Sequence, residues 1–152
     1  VLREHLSLTR SSYPDAESLK QFLIASAVRG VLAQRLVRKL CPVCKAPSEL
    51  TEKEMRALSL DASRMADASI YGPVGCEKCR GGGFKGRMGI FELFLVDDEV
   101  RQMINSGLTS TQLRRRAREL GMRTLREDGI RKVLAGLTSG GEVVHTTMSD
   151  AD

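Results

Sequence analysis

Four cysteines, the only ones in the 152-residue chain, fall into two Cys-x-x-Cys pairs. Cys41 and Cys44 form the first pair, and Cys76 and Cys79 form the second after the 31 residues from 45 to 75. A structural zinc site takes four thiolates in a tetrahedron, and each Cys-x-x-Cys turn directs two sulfurs at one ion. The pattern therefore predicts one metal held by all four cysteines. Since no position is left for water or substrate, such a metal would be structural rather than catalytic.

The residues around the two pairs fit this interpretation. The spacing is longer than the roughly 15 to 20 residues of common zinc ribbons, and it leaves room for a short helix near Thr51. Pro42 would stiffen the first turn, and the run Gly81 to Gly83 can take positive φ where the chain passes the sulfurs. The ion would then join the end of a strand at Leu40 to the start of another at Gly86.

Other uses of four thiols remain open or are disfavoured. Iron, in a rubredoxin-like or iron–sulfur site, takes the same ligands and stays open. A thioredoxin-type redox site needs only one pair. Disulfides need an oxidising compartment, and the first residues, which do not begin with Met, show no secretory signal. The sequence therefore favours zinc in a reducing cytosol, in a fragment or a processed chain.

Composition and charge narrow the class of protein. Hydrophobic residues make up 41% and charged residues 28%, which is typical of a globular protein. No run of about 18 apolar residues occurs, so no membrane-spanning helix is expected. The net charge is +5, with basic residues concentrated between Arg29 and Lys45 and between Arg114 and Lys132. These stretches would attract nucleic acid, anionic lipid or an acidic protein, or they would simply be solvated helix faces.

Periodicity and capping residues predict an alternation of helices and strands. Helices are expected within 15–28, 52–58, 97–107, 109–121 and 124–137, and strands within 31–40 and 85–96. A helix is the competing prediction for 31–40.

A complete active site is absent from the sequence. The phosphate-binding pattern G-x-x-x-x-G-K-[ST] does not occur. His5 and His145 lie near the two termini with no plausible nucleophile beside either of them, so no catalytic role is assigned to them. We therefore name no catalytic and no cofactor-binding residue.

Three blocks of the sequence resemble a known family. They are FLIASAVRGVLAQRLVRKLCPVCK, GCEKCRGGGFKGRMGIFELF and LRRRARELGMRTLREDGIRKVLAGLTSGGEV, in that order. Together they are similar to the C-terminal portion of the secretion-superfamily ATPases, which include the type II secretion ATPase E and the type IV pilus assembly ATPase. The resemblance runs from about Phe22 to Val144, whereas the first 20 or so residues diverge.

The resemblance implies an α/β to α+β fold in three parts. Residues 1–40 would end a RecA-like ATPase core, with its final helix and strand within 15–40. Residues 41–85 would form the tetracysteine metal-binding subdomain, 86–146 a strand and a small C-terminal helical domain, and 147–152 a flexible tail.

The resemblance also implies a function and partners. The chain would transmit ATP-driven motion as part of a hexamer on the cytoplasmic side of the inner membrane, next to a cytoplasmic segment of a membrane platform protein. The parent would bind ATP and Mg²⁺ through Walker A and Walker B motifs upstream of this chain, which alone would be inactive. The alternative is a free-standing zinc-ribbon module that binds nucleic acid. The scarcity of aromatic residues among the basic ones disfavours it, so no specific nucleic acid is expected.

Overall fold

Strands and helices alternate along the chain in the computed structural model, which describes residues 23–60, 65 and 68–148. The strands are β1 (Gly30–Leu40), β2 (Ala46–Pro47), β3 (Tyr71–Gly72) and β4 (Phe84–Leu95). The helices are α1 (Glu52–Leu58), α2 (Asp98–Asn105), α3 (Ser110–Glu119), α4 (Leu125–Leu134) and α5 (Gly140–Thr147). Residues 23–27 are also helical, so the first predicted helix ends one residue before its expected limit at 28, and its residues 15–22 lie outside the described residues.

Local capping signals account for most of the helices. Three helices begin with a capping box. In this motif a threonine hydroxyl accepts the N–H of the third helical residue, and the side chain of that residue accepts the backbone N–H of the threonine. The three pairs are Thr51 with Glu54 in α1, Thr109 with Gln112 in α3, and Thr124 with Glu127 in α4. Asp97 caps α2 in a simpler way, by accepting the N–H of Val100. The predicted helices that start at these residues are confirmed.

The two long strands pair with each other. β1 and β4 form a two-stranded sheet, which confirms the strand rather than the helix for 31–40. The N–H of Val96, just beyond β4, donates to the carbonyl of Arg29, just before β1. At the other end, the N–H of Cys41 donates to the carbonyl of Gly83. The start of each strand therefore meets the end of the other, and the pair is antiparallel.

The chain divides into two compact units, and β1 and β4 contribute residues to both. The first unit contains the described residues of Val1–Ala33 together with Glu92–Arg123. Its apolar core is formed by Phe94, Val96, Val100, Leu113 and Ala117. The second unit contains Gln34–Phe91 and the described residues of Thr124–Asp152. Its buried apolar side chains include Val37, Leu58, Ile90, Ile130, Val133 and Val143.

The helices divide between these units. Of the helices assigned from sequence to one small C-terminal domain, α2 and α3 lie in the first unit and α4 in the second, together with α5. α5 was not predicted. It contains Thr147, the first residue of the expected tail, and the Thr147 side chain is fully buried. Within the described ranges, every helix is too short or too polar to cross a membrane.

Candidate metal centre

The four cysteine sulfurs meet at one point. Every pair of Sγ atoms lies within 4.8 Å, with Cys41 to Cys76 at 3.9 Å and Cys44 to Cys79 at 3.7 Å. A tetrahedron of thiolates with metal–sulfur bonds of about 2.3 Å has sulfur–sulfur edges of about 3.8 Å. The spacing therefore suits one tetrahedrally coordinated ion. It is far from the roughly 2.05 Å of a disulfide, and all four thiols are free.

The first pair is positioned by the end of β1. Cys41 follows Leu40 directly and is fully buried, with its N–H bonded to Gly83. Its own carbonyl accepts the N–H of Lys45 at 3.0 Å, which closes the turn that carries Cys44.

The second pair is positioned by a single 3₁₀ turn, Glu77–Cys79. The Cys76 carbonyl accepts the N–H groups of Cys79 and Gly81, which folds the turn back on itself. Arg80 adopts the left-handed conformation with φ +54°, and Gly81 and Gly83 follow with φ of +77° and +71°. The positive φ predicted for the glycine run is thus confirmed at two of its three positions.

A short sheet joins the two turns. β2 leaves the first turn and β3 approaches the second, and they pair antiparallel with Ala46 opposite Gly72 and Pro47 opposite Tyr71. The 31 residues between the pairs therefore return the chain to its starting point, with α1 placed in the intervening loop.

Backbone amides point at the sulfurs. The Cys79 sulfur accepts the N–H of Cys76 at 3.1 Å and of Gly83 at 3.3 Å, and the Cys44 sulfur accepts the N–H of Gly75 at 3.3 Å. Such donors stabilise a thiolate over a thiol, because they interact more strongly with the charged form. This set of amides was not predicted from the cysteine spacing.

The sulfurs differ in their affinity for protons. Desolvation acts to raise the pKa of Cys79, but the N–H groups of Cys76 and Gly83 and the neighbouring thiols lower it to about 6. Desolvation is also the leading influence at Cys44 and raises its pKa to about 11. The N–H of Val43 lowers the pKa of Cys41. Metal binding displaces the thiol protons, so the free-energy cost of removing the proton is largest at the least acidic thiol, Cys44.

Cationic residues flank the first cysteine pair in the sequence. Lys45 donates to the carbonyl of Gly136 at 2.8 Å, and its Nζ lies 4.4 Å from the centre of the Tyr71 ring. Arg38 forms a two-pronged bond to the carboxylate of Glu142, and its guanidinium lies 4.2 Å from the centre of the Phe84 ring. These contacts tie the residues flanking the cysteines to α5 and to the turn after α4.

The histidines and the two basic stretches noted in the sequence were also candidates for a functional role. His145 is exposed on α5, whereas His5 lies outside the described residues. Several cations of the two basic stretches have partners within the chain. They are Arg38 with Glu142, Arg116 with Glu99 and Glu119, Arg126 with Thr147, and Lys132 with Asp128.

Comparison with known proteins identifies the family. Residues 16–145 match the family model described as Type II/IV secretion system protein. The chain is 42% identical over 134 residues to the type IV pilus assembly ATPase PilB of Thermus thermophilus. It is 40% identical over 153 aligned positions to the type IV pilus assembly ATPase TfpB of Acinetobacter baylyi. It is 43% identical over 129 residues to the type II secretion system ATPase E of Vibrio cholerae. The chain belongs to this family, which confirms the resemblance of the three blocks.

The matched regions differ in their share of each protein. They cover 88%, 95% and 85% of this chain, but only 15%, 26% and 25% of the three relatives in the same order. The chain therefore spans between 15% and 26% of the length of these relatives.

Proposed function

We propose that the chain is the metal-stapled C-terminal part of a type II secretion or type IV pilus assembly ATPase. The observation that carries the proposal is the convergence of four cysteine sulfurs within 4.8 Å in a chain of this family. The zinc ion favoured by the ligand set would be held by Cys41, Cys44, Cys76 and Cys79. It would supply a rigid link between turns that have little packing of their own.

In this proposal the metal-binding subdomain transmits motion. Residues 1–40 end a RecA-like ATPase core, 41–85 form the stapled subdomain, and the residues from 86 onward form the strand and helices that follow. ATP and Mg²⁺ are bound by the parent's own motifs, and neighbouring subunits of a hexamer and a platform protein at the inner membrane are the partners. The hydrogen bonds from Cys41 to Gly83 and from Arg38 to Glu142 support such rigid coupling, because they tie β1 to the second cysteine turn and to α5.

The internal pairing of basic residues supports this function over nucleic-acid binding. A phosphate-binding surface needs free Lys and Arg side chains. Arg116 is instead engaged by two carboxylates, and Lys132 by Asp128 and the carbonyl of Gly89. Tight binding of generic DNA by the chain, with a steep dependence on salt, would favour the zinc-ribbon alternative instead.

The proposal is tested in the parent ATPase. A Cys44→Ser and Cys79→Ser double variant is compared with Lys78→Ala, which changes an exposed residue inside the second turn. We expect the double variant to bind nucleotide but to lose pilus assembly or secretion, and the control to retain both. The isolated chain should not hydrolyse ATP. Normal assembly or secretion by the metal-free variant would contradict the proposal.

A further inference from the structure

Gly83 lies where the two cysteine turns meet. Its N–H donates to the Cys79 sulfur at 3.3 Å, and its carbonyl oxygen accepts the N–H of Cys41 at 2.9 Å. The residue is buried. A single residue therefore contacts one cysteine from each pair through its backbone alone.

The position of Gly83 excludes a side chain. Its φ of +71° is one that residues with a Cβ rarely adopt. A Cβ built there would lie 2.4 Å from the Cβ and 3.0 Å from the Cα of Pro73. Because these are atoms of a rigid ring and of the backbone, they cannot move aside as the end of a flexible side chain would.

Gly75 is the counterpart of Gly83 on the opposite loop. Its N–H donates to the Cys44 sulfur at 3.3 Å, and its φ is +116°. A Cβ at this position would lie 2.5 Å from the carbonyl oxygen of Gly81. The loop before the second cysteine pair and the loop after it thus touch at two points, and a glycine stands at each point.

We propose that Gly75 and Gly83 are positioning residues of the metal centre, and that their N–H groups set its affinity for the ion. The inference rests on the proposed metal site. Four thiolates around a divalent cation leave a net charge of −2, which hydrogen-bond donors stabilise. Close contact of the two loops holds these donors against one sulfur of each pair. A side chain at either glycine would separate the loops and remove the donors.

The adjacent glycines provide matched controls. Gly82 has no positive φ, and a Cβ there would lie 3.5 Å from the Cys79 carbonyl oxygen, an ordinary contact. Gly81 has φ +77° but open space around its Cβ position. Gly82→Ala therefore reports the general effect of a methyl group, and Gly81→Ala reports backbone strain without loss of a bond to sulfur.

The first experiment measures metal affinity in the full chain. The four single alanine variants are titrated with Co²⁺, and Zn²⁺ affinity is measured by competition with a chelator. We expect Gly83→Ala and Gly75→Ala to lose affinity by about 10- to 100-fold, and Gly82→Ala by less than about threefold. Gly81→Ala should fall between them. The sulfur-to-cobalt charge-transfer band should move to longer wavelength in the first two variants alone, because a sulfur without its donor gives up electron density more readily.

The outcomes separate this inference from the metal site itself. Unchanged affinity and an unchanged band in Gly83→Ala and Gly75→Ala would overturn the positioning role and leave the metal site intact. Failure of the wild-type chain to bind either metal would overturn both.

A second measurement does not depend on the variants folding. Wild-type chain loaded with ¹¹³Cd²⁺ is examined by NMR for scalar coupling between the metal and amide protons. We expect coupling at Gly75 and Gly83, as at Cys76, because each donates to a ligand sulfur. Coupling at Cys76 without coupling at the two glycines would contradict the proposal.

Discussion

Two regions of the second unit are held together in different ways. The cysteine loops, residues 41–47 and 71–83, bury few side chains, and their large apolar residues Val43 and Val74 are 60% and 64% exposed. The helix pair α4 and α5 buries Ile130, Val133 and Val143 almost completely. Burial of such side chains stabilises a fold by roughly 1.5–3 kcal/mol each. The helix pair has this source of stability, whereas the loops depend on hydrogen bonds and on the metal ion proposed to bind the four sulfurs.

Removal of the metal should therefore destabilise the cysteine loops more than the helix pair. The helices approach closely at Gly129, where a Cβ would lie 2.6 Å from the nearest methyl carbon of Val143. In the cysteine loops, Tyr71 makes a similarly close contact with Gly136, where a Cβ would lie 2.5 Å from the ring, but the Tyr71 side chain is only partly buried.

Chelation of the metal should have the largest effect. Structural zinc contributes apparent binding free energies of roughly 10–16 kcal/mol in small domains, and the loops have little else to hold them. We expect the metal-free chain to lose cooperative unfolding, and the amides of Cys76, Cys79 and Gly83 to lose protection in hydrogen exchange. The amides of Val133 and Val143 should remain more protected. Equal loss of protection in both regions would contradict the expected difference in stability between the cysteine loops and the helix pair.

Val133→Ala should weaken the helix pair selectively. The side chain is fully buried, so its truncation should lower the free energy of unfolding by about 1.5–3 kcal/mol. Metal content should not change, because Val133 lies outside the cysteine loops. Chemical denaturation and elemental analysis of the same sample check both statements. Met148→Ala, at an exposed position, is the control and should be nearly neutral.

Asp128→Asn should destabilise the chain by about 1–3 kcal/mol at neutral pH. The carboxylate, which is only 16% exposed, accepts bonds from Lys132 and from the N–H of Phe91. Burial acts to raise the pKa of Asp128, but these bonds and the charges of Lys132 and Arg131 lower it overall.

The sign of the pH dependence follows from this lowered pKa. Stability from Asp128 is present above the ordinary aspartate pKa of about 4 and is lost as pH falls through the lower folded value. The difference between wild type and Asp128→Asn should therefore shrink below about pH 4 in denaturation measured across pH. Asp98→Asn removes a carboxylate that is 93% exposed where it pairs with Arg101, so it should cost at most about 1 kcal/mol. A constant difference at all pH values would contradict the assignment.

Thr51→Ala should have the smallest effect of the four. The hydroxyl of Thr51 caps α1 by accepting the N–H of Glu54 at 3.2 Å, and loss of such a cap costs about 1 kcal/mol. Thermal unfolding should report this small decrease without a change in metal content. Loss of metal in Thr51→Ala would mean that α1 supports the cysteine loops directly.

Features encoded in short segments were predictable from the sequence. The caps Thr51, Thr109 and Thr124 define helix starts from neighbouring residues alone. The matching spacing of the two cysteine pairs likewise predicted that the sulfurs would meet, because each turn is local and only one long loop separates them. The three sequence blocks predicted the family.

Features that depend on distant residues were not predictable. Leu32 and Leu36 of β1 are 57% and 50% exposed, whereas Val37 is fully buried. Which face of a strand is buried depends on what packs against it, not on its own pattern. α5 begins with Gly140 and Gly141, residues that disfavour helices, and a Cβ at Gly140 would lie 2.4 Å from the Leu50 side chain. Here close tertiary contact outweighs helix propensity.

The metal content of the purified chain and the reactivity of its thiols together test whether the four cysteines hold one ion. We expect close to one zinc per chain, with Cys41, Cys44, Cys76 and Cys79 protected from alkylation until a chelator is added. One iron per chain with the same protection would show that the metal is iron rather than zinc and would leave the structural role of the four-cysteine site unchanged. A chain without bound metal whose four cysteines alkylate freely in the folded state would contradict the account.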